Sequence, residues 1–153
     1  MPRREVTCPH CREKFAVRIP TDDKYSRLPI EQKRRSSARA AVHCYLGFVI
    51  RDAIDAPGRI RRDPKTVDAW LKRRVRWGSE EFLERMIETL PPGMHLSDWH
   101  TGALQIDHIR PFATFDTGDT VQDIRDAFQL DNLRMLHTVD NLTRNKYHAR
   151  RET

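Results

Sequence analysis

Two short apolar stretches near the C-terminal end, residues 104–109 and 132–136, constrain the fold more than any other feature. Each has the length and the leucine, isoleucine or methionine content of a short buried β-strand. The long connection between them contains turn-forming residues and room for about one helical turn. After the second stretch, Thr138 can begin a helix. The order strand, long loop, strand, helix therefore predicts a small α+β unit.

The first predicted strand carries Asp107 and His108 side by side. Neighbours on a strand point to opposite faces, and a purely structural strand does not normally place ionisable groups on both. Asn141 and Asn145 lie four residues apart on the predicted final helix, so they share a face. If that helix packs across the strands, carboxylate and amide oxygens gather as ligands for a hard cation such as Mg²⁺. A neutral His108 beside them can act as a general base on water.

The segment 78–147 resembles the HNH nuclease family, in a form common in phage genomes. The resemblance is carried by "GM", "IDHIRPFATFD" and "NLRMLHTVDN". In that family an Asp-His or His-His pair lies on the first strand, and a loop-anchoring Asn precedes the second strand. A His or Asn follows nine residues later, on the helix. The matching positions here are Asp107–His108, Asn132 and Asn141.

The resemblance implies a ββα-metal fold and a role for each motif residue. Asp107 and Asn141 would bind the metal, with Asn145 as a further ligand, and His108 would be the general base. Asn132 would hold the long loop through hydrogen bonds to backbone. Because the last motif position is Asn and not His, a hard cation is implied: Mg²⁺ first, with Mn²⁺ or Ni²⁺ as alternatives. The implied products carry a 5′-phosphate and a 3′-hydroxyl.

Each motif residue alone has a simpler explanation. An Asp-His pair is often a surface accident, a "DN" pair often caps a helix, and Asn132 could be a turn residue. The joint order and spacing favour a DNA endonuclease. The rival hypothesis is a non-catalytic DNA-binding protein on an HNH scaffold, in which binding would survive loss of Asp107 or Asn141.

The rest of the chain is predicted to be mainly helical. We expect an α+β protein with a mostly helical N-terminal part and a C-terminal ββα-metal nuclease unit. The predicted segments are a basic region at 1–54, a linker at 55–66, and residues 67–153, which lead into a nuclease core at 100–150. Helices are predicted over 36–54, 66–76 and 79–90.

Positive charge is concentrated in the first half. Residues 1–76 hold 20 Lys+Arg against 9 Asp+Glu, whereas residues 77–153 hold 8 against 13. This asymmetry favours an anionic partner, with DNA as the first candidate, although a solvated basic surface has the same composition. The candidate DNA-binding residues are Lys72, Arg73, Arg74 and Arg76 on a predicted helix, and Arg110, Arg134 and Arg144 around the motif.

The three cysteines allow a structural zinc site. Cys8 and Cys11 in "CPHC" have the spacing of half a zinc knuckle, and His43 and Cys44 are candidates to complete it. The alternative is a turn with two thiols, which is simpler because a second Cys pair is missing.

No apolar run approaches the roughly 18 residues of a membrane span, and the mean hydropathy is −0.74. We therefore expect no membrane partner, and the resemblance to phage proteins implies a protein of the bacterial host cytoplasm. One motif per chain predicts nicking by a monomer, and a double-strand break would need a homodimer or two events. The similarity of the motif to phage sequences implies a role in phage packaging or mobile-element machinery.

The zinc hypothesis predicts about one zinc ion per chain, because a structural site of this kind binds tightly at neutral pH. Elemental analysis of purified protein measures it, with Cys8→Ser and Cys11→Ser as the matched variants. Zinc at background level in the wild-type protein would end the hypothesis.

Overall fold

The structure is a computed structural model that describes residues 3–7, 14–18, 28–55 and 62–141. These residues are mostly helical with small antiparallel sheets, an α+β arrangement. Among them no helix has the length and apolar character needed to cross a bilayer. The elements are β1 (Arg3–Thr7), β2 (Lys14–Arg18), α1 (Ile30–Ala53), α2 (Pro64–Val75), α3 (Ser79–Glu88), β3 (Leu104–His108), α4 (Thr120–Ala127) and β4 (Leu133–His137). Strand β1 pairs with β2, and β3 pairs with β4.

Helix α1 is longer than the sequence pattern predicted, since it begins at Ile30 and not at residue 36. Its first turns are polar and lack an apolar period, but they are rich in Glu, Gln, Lys and Arg, which have high intrinsic helix propensity. Pro29 stands immediately before the helix, a position that proline tolerates. The buried part of α1 runs from Ala41 to Ile50.

Two predicted boundaries around α2 and α3 were wrong. Helix α2 begins inside the predicted linker, because the Asp63 carboxylate caps it by accepting from the Thr66 backbone N–H at 2.9 Å. The N-cap of α3 is Gly78, whereas Ser79 was predicted. A Cβ at position 78 would lie 2.4 Å from Oδ1 of Asp68, so a larger residue there would displace this carboxylate from its hydrogen bond with the Ser79 backbone N–H.

One hydrophobic core joins α1 to the β3–β4 hairpin. Leu46 and Ile50 of α1 are fully buried together with Phe82 of α3, Phe128 after α4 and Leu133 of β4. Each such side chain contributes about 1.5–3 kcal/mol by leaving water. Helix α1 therefore belongs to the same packing unit as the strands that carry the Asp-His pair.

The strands lie close to their predicted positions, at 104–108 and 133–137 against the predicted 104–109 and 132–136. The connection between them is more ordered than expected. It contains 3₁₀ turns at Phe112–Thr114 and Leu130–Asn132, with the two-turn helix α4 between them. Arg85 of α3 secures the end of this connection, because its Nε donates to the carbonyls of Leu130 and Leu133.

A buried carboxylate, Asp123, ties the loop to α1. It is 1% exposed and accepts hydrogen bonds from the backbone N–H and hydroxyl of Thr117, and from Arg35 of α1. Burial alone would raise the pKa of Asp123, but the hydrogen bonds from Thr117 and the Arg35 guanidinium outweigh it and hold the pKa below its ordinary value. The loop before α4 is thus held to α1 by an ionised side chain.

Replacing Asp123 with Asn is expected to lower the free energy of unfolding by about 2–3 kcal/mol at pH 7, because Arg35 loses its buried partner. Since the folded pKa is depressed, this difference exists above the unfolded pKa of about 4 and shrinks as pH falls below it. Denaturant unfolding at pH 7 and pH 3 measures both effects. Asp116→Asn, an exposed carboxylate of the same loop, is the control. If the unfolding free energies of the wild type and Asp123→Asn differ by the same amount at both pH values, Asp123 is not the ionised anchor described here.

Candidate active site

The β3–β4 hairpin sorts the motif residues onto two faces. In the antiparallel register, Asp107 lies opposite Arg134 and His108 opposite Leu133. Side chains alternate along a strand, so Gln105 and Asp107 share one face, while Ile106 and His108 share the other. The two members of the Asp-His pair therefore point away from each other, as strand geometry requires.

Asp107 is 8% exposed, and its Oδ2 accepts a hydrogen bond from Nε of Arg134 at 2.9 Å. Arg134 had been predicted to contact phosphate. In the structure its Nε is directed at the candidate metal ligand, and this cross-strand ion pair brings a positive charge to the carboxylate. On this face of the hairpin, the Asp107 carboxylate is thus paired with the Arg134 guanidinium.

Asn141 reaches the same face as Asp107. It lies in the helical turn 138–141 that follows β4, and its Nδ2 donates to Oε1 of Gln105 at 2.7 Å. Because Gln105 and Asp107 are two residues apart on one strand, the predicted ligands Asp107 and Asn141 lie on a common side of the hairpin. Sequence reasoning missed Gln105, although its place two residues before Asp107 was the available signal.

His108 is buried on the other face, at 6% exposed. Its Nδ1 lies 2.8 Å from the backbone carbonyl oxygen of Ala127, and its ring meets Phe128 edge-on at 4.6 Å. A carbonyl can only accept, so Nδ1 carries the proton and donates. The lone pair of the neutral ring is consequently on Nε2, the atom that a general base would use.

Nε2 of His108 lies 3.3 Å from Nε2 of His43, which α1 supplies. Burial, with smaller contributions from the neighbouring His108 and Arg39, lowers the pKa of His43 to about 3. Burial also lowers the pKa of His108; the hydrogen bond to Ala127 and the charge of Asp107 oppose this effect, and Arg39 adds to it. Both imidazoles are therefore neutral near pH 7.

Asn132 connects the loop to the imidazole of His108. Its Oδ1 accepts from the backbone N–H of Arg110 at 2.8 Å, and its Nδ2 donates to the carbonyls of Arg110 and Ala127 at 3.2 and 2.8 Å. The Ala127 carbonyl thus accepts from both Asn132 and His108. Asn132 holds the two ends of the long connection together beside the candidate base.

The predicted DNA-binding residues within the described chain differ in their contacts. Arg110 folds onto its own loop, where it donates to Thr114 and covers the ring of Phe115 at 4.2 Å. Lys72 forms a salt bridge with Asp68. Arg73, Arg74 and Arg76 are exposed at the end of α2, and Arg144 lies outside the described residues.

The predicted zinc ligands lie only partly within the described chain. Cys8, Cys11 and Asn145 lie outside the described residues. Cys44 is half-buried on α1. His43 is directed at His108, a contact that was not predicted.

Within the described part of the chain, no group of three or more His, Cys, Asp or Glu side chains is placed to hold a metal ion. The oxygen atoms on the face of Asp107, from one carboxylate and the amides of Gln105 and Asn141, are of a different kind. They are the ligand types that hard cations bind.

Comparisons with protein-family models, with curated proteins and with solved structures found no match.

Replacing Asn132 with Ala is expected to lower the free energy of unfolding by about 2–3 kcal/mol, because three hydrogen bonds to the backbone of Arg110 and Ala127 are lost together. Denaturant unfolding measures this, and amide hydrogen exchange at Arg110 reports the local loosening. Asp131→Ala, an exposed neighbour, is the control. Equal stability of the two variants would show that Asn132 does not anchor the loop.

Proposed function

We propose that this chain is a metal-dependent DNA endonuclease of the HNH type, which hydrolyses phosphodiester bonds. The observation that carries the proposal is the hydrogen bond from Nδ1 of His108 to the Ala127 carbonyl, because it leaves the Nε2 lone pair as the base. The residue before it, Asp107, shares a face with Asn141 on the other side of the strand. The proposal also rests on the order and spacing of the HNH-like motif.

The donor set fits a hard divalent cation. The Asp107 carboxylate and the Asn141 amide would hold it, with Asn145 as a further proposed ligand. Gln105 would orient Asn141 through the hydrogen bond between their amides. Mg²⁺ suits such a set, because it takes few protein oxygens and keeps several waters, and Mn²⁺ or Ni²⁺ can substitute. When bound, the cation would stabilise charge on the scissile phosphate and the leaving 3′ oxygen.

The chain's own residues perform the proton transfer. Neutral His108 accepts a proton from water at Nε2, while the Ala127 carbonyl holds the ring by Nδ1 and stabilises the cationic form that results. Asn132 keeps that carbonyl in place. Buried surroundings strengthen both hydrogen bonds relative to water.

DNA is the proposed partner, and the basic end of α2 is the proposed contact with its backbone outside the site. One site per chain would nick one strand, and two copies would be needed to cut both together. We also propose a role in phage packaging or in a mobile element, in the cytoplasm of a bacterial host. This proposal rests only on the resemblance of the motif to phage proteins.

One observation favours the rival function, a DNA-binding protein without catalysis. His108 is 6% exposed and its Nε2 faces His43, so the base is covered in the structure. Asp107 is likewise engaged by Arg134. Under this alternative, both contacts are permanent and the chain binds DNA without cutting it.

Plasmid nicking decides between them. The proposal predicts nicking that requires Mg²⁺, Mn²⁺ or Ni²⁺ and falls at least about 100-fold in His108→Ala, because general-base catalysis is lost. Asp107→Ala and Asn141→Ala should lose the response to the metal ion. His100→Ala removes an exposed imidazole and should cut like the wild type.

Equal nicking by the wild-type protein and His108→Ala would identify a contaminant and end the assignment. Binding without any cutting, under all three metal ions, would establish the non-catalytic alternative.

A further inference from the structure

A groove of about 440 Å³ runs along α1 toward the candidate base. Its walls include Phe112 and Ala113 of the loop, together with residues of α1. Arg35, Arg39 and His43 are spaced by four, so they line the groove as consecutive turns of one helical face. The last of them, His43, meets His108. The groove therefore has two arginines along it and, at one end, the histidine that contacts the candidate base.

Phe112 supports both arginines. The guanidinium of Arg35 lies 4.6 Å from the centre of the Phe112 ring, and that of Arg39 lies 5.1 Å from it. The same ring lies 6.1 Å from the imidazole of His108. A guanidinium over an aromatic face is held in position while its N–H groups stay available at the ring's edge.

The two arginines differ in their partners. Arg35 is 17% exposed and is bound by the Asp123 carboxylate and the Phe112 carbonyl, so its charge is largely used inside the protein. Arg39 is exposed, and it forms no salt bridge with any carboxylate of the described residues. Arg39 is thus the arginine of this groove that is placed to bind a ligand.

His43 is a neutral hydrogen-bond donor at the end of the groove. Since Nδ1 of His108 carries the proton of that ring, the contact between the two Nε2 atoms needs the proton of His43 on its own Nε2. The bond is long, at 3.3 Å, and an anionic oxygen would accept the same proton more strongly than a neutral imidazole does.

The positive charges of Arg35 and Arg39 favour an anionic ligand in the groove. Two guanidiniums within one helical face of His43 oppose a cation bound between the histidines, and they attract an anion. A phosphodiester has both the negative charge for Arg39 and the acceptor oxygens for His43.

We propose that Arg39 and His43 bind the scissile phosphodiester against His108, so that α1 forms one wall of the active site. The inference rests on the proposed nuclease function. His43 donates to a phosphate oxygen instead of to His108, and this exchange uncovers Nε2 of His108 for the attacking water. The contact that covers the base in the absence of DNA is thereby replaced when substrate enters.

The test uses the full chain and a matched control. Arg39→Ala removes the proposed phosphate contact, and Arg34→Ala removes the same charge from an exposed position on α1 that pairs with Glu31. His43→Ala removes the donor, and His43→Gln keeps an N–H donor. Two measurements are made on each: single-turnover cleavage at saturating duplex DNA, and affinity for a duplex in the His108→Ala background with EDTA and varied salt.

Arg39→Ala is expected to slow cleavage about tenfold, as loss of one charge-assisted hydrogen bond implies, whereas Arg34→Ala cleaves at the wild-type rate. In the EDTA experiment, Arg39→Ala weakens DNA binding more than Arg34→Ala does. It also lowers the slope of log affinity against log salt concentration by about one. His43→Ala slows cleavage, and His43→Gln restores part of the rate.

Equal effects of Arg39→Ala and Arg34→Ala in both measurements would overturn the inference, as would faster cleavage by His43→Ala, which would make His43 only a cover. If the wild-type protein does not cut DNA, the nuclease proposal fails, and the EDTA measurement alone decides whether the groove binds backbone phosphate.

Discussion

The carbonyl oxygen of Ala127 is the acceptor on which the site depends. It receives one hydrogen bond from His108 and one from Asn132, at 2.8 Å each. The first sets the tautomer of the imidazole, and the second fixes the carbonyl to the far end of the loop. Because Ala127 is the last residue of α4, this arrangement requires the helix in the long connection to be folded and docked. The chemistry of His108 is therefore set by the packing of a segment well removed in sequence.

The position of helix α1 is the second feature on which the geometry at His108 depends. Its buried face belongs to the core that also holds Phe128 and Leu133, and its polar face meets the loop through Arg35 and Asp123. With α1 held by both anchors, Nε2 of His43 lies 3.3 Å from Nε2 of His108. Fixed on two sides, α1 presents a line of arginines and a histidine beside the hairpin. The N-terminal half thus contributes more than a general positive charge.

Sequence reasoning located the hairpin within one residue at each end, because short apolar runs bounded by turn residues are a strong local signal. It missed the start of α1, where helix is stabilised by residue propensity without an apolar period. It also took Ser79 for a cap that Gly78 provides, because the reason for that glycine is the close approach of Asp68 from another helix. The roles of Arg110 and Arg134 were similarly hidden, since a solvated arginine and one bound within the protein look the same in sequence.

The sequence by itself determined the local features: the strands, and the alternation that separates Asp107 from His108. Each of these depends on residues close in the chain or on a fixed backbone period. Only the tertiary structure decided which atom of His108 carries the proton, that Gln105 joins Asn141, and that His43 lies against His108. These contacts join residues 19, 36 and 65 positions apart. They form only when the core has packed, and nothing in the local sequence specifies that packing.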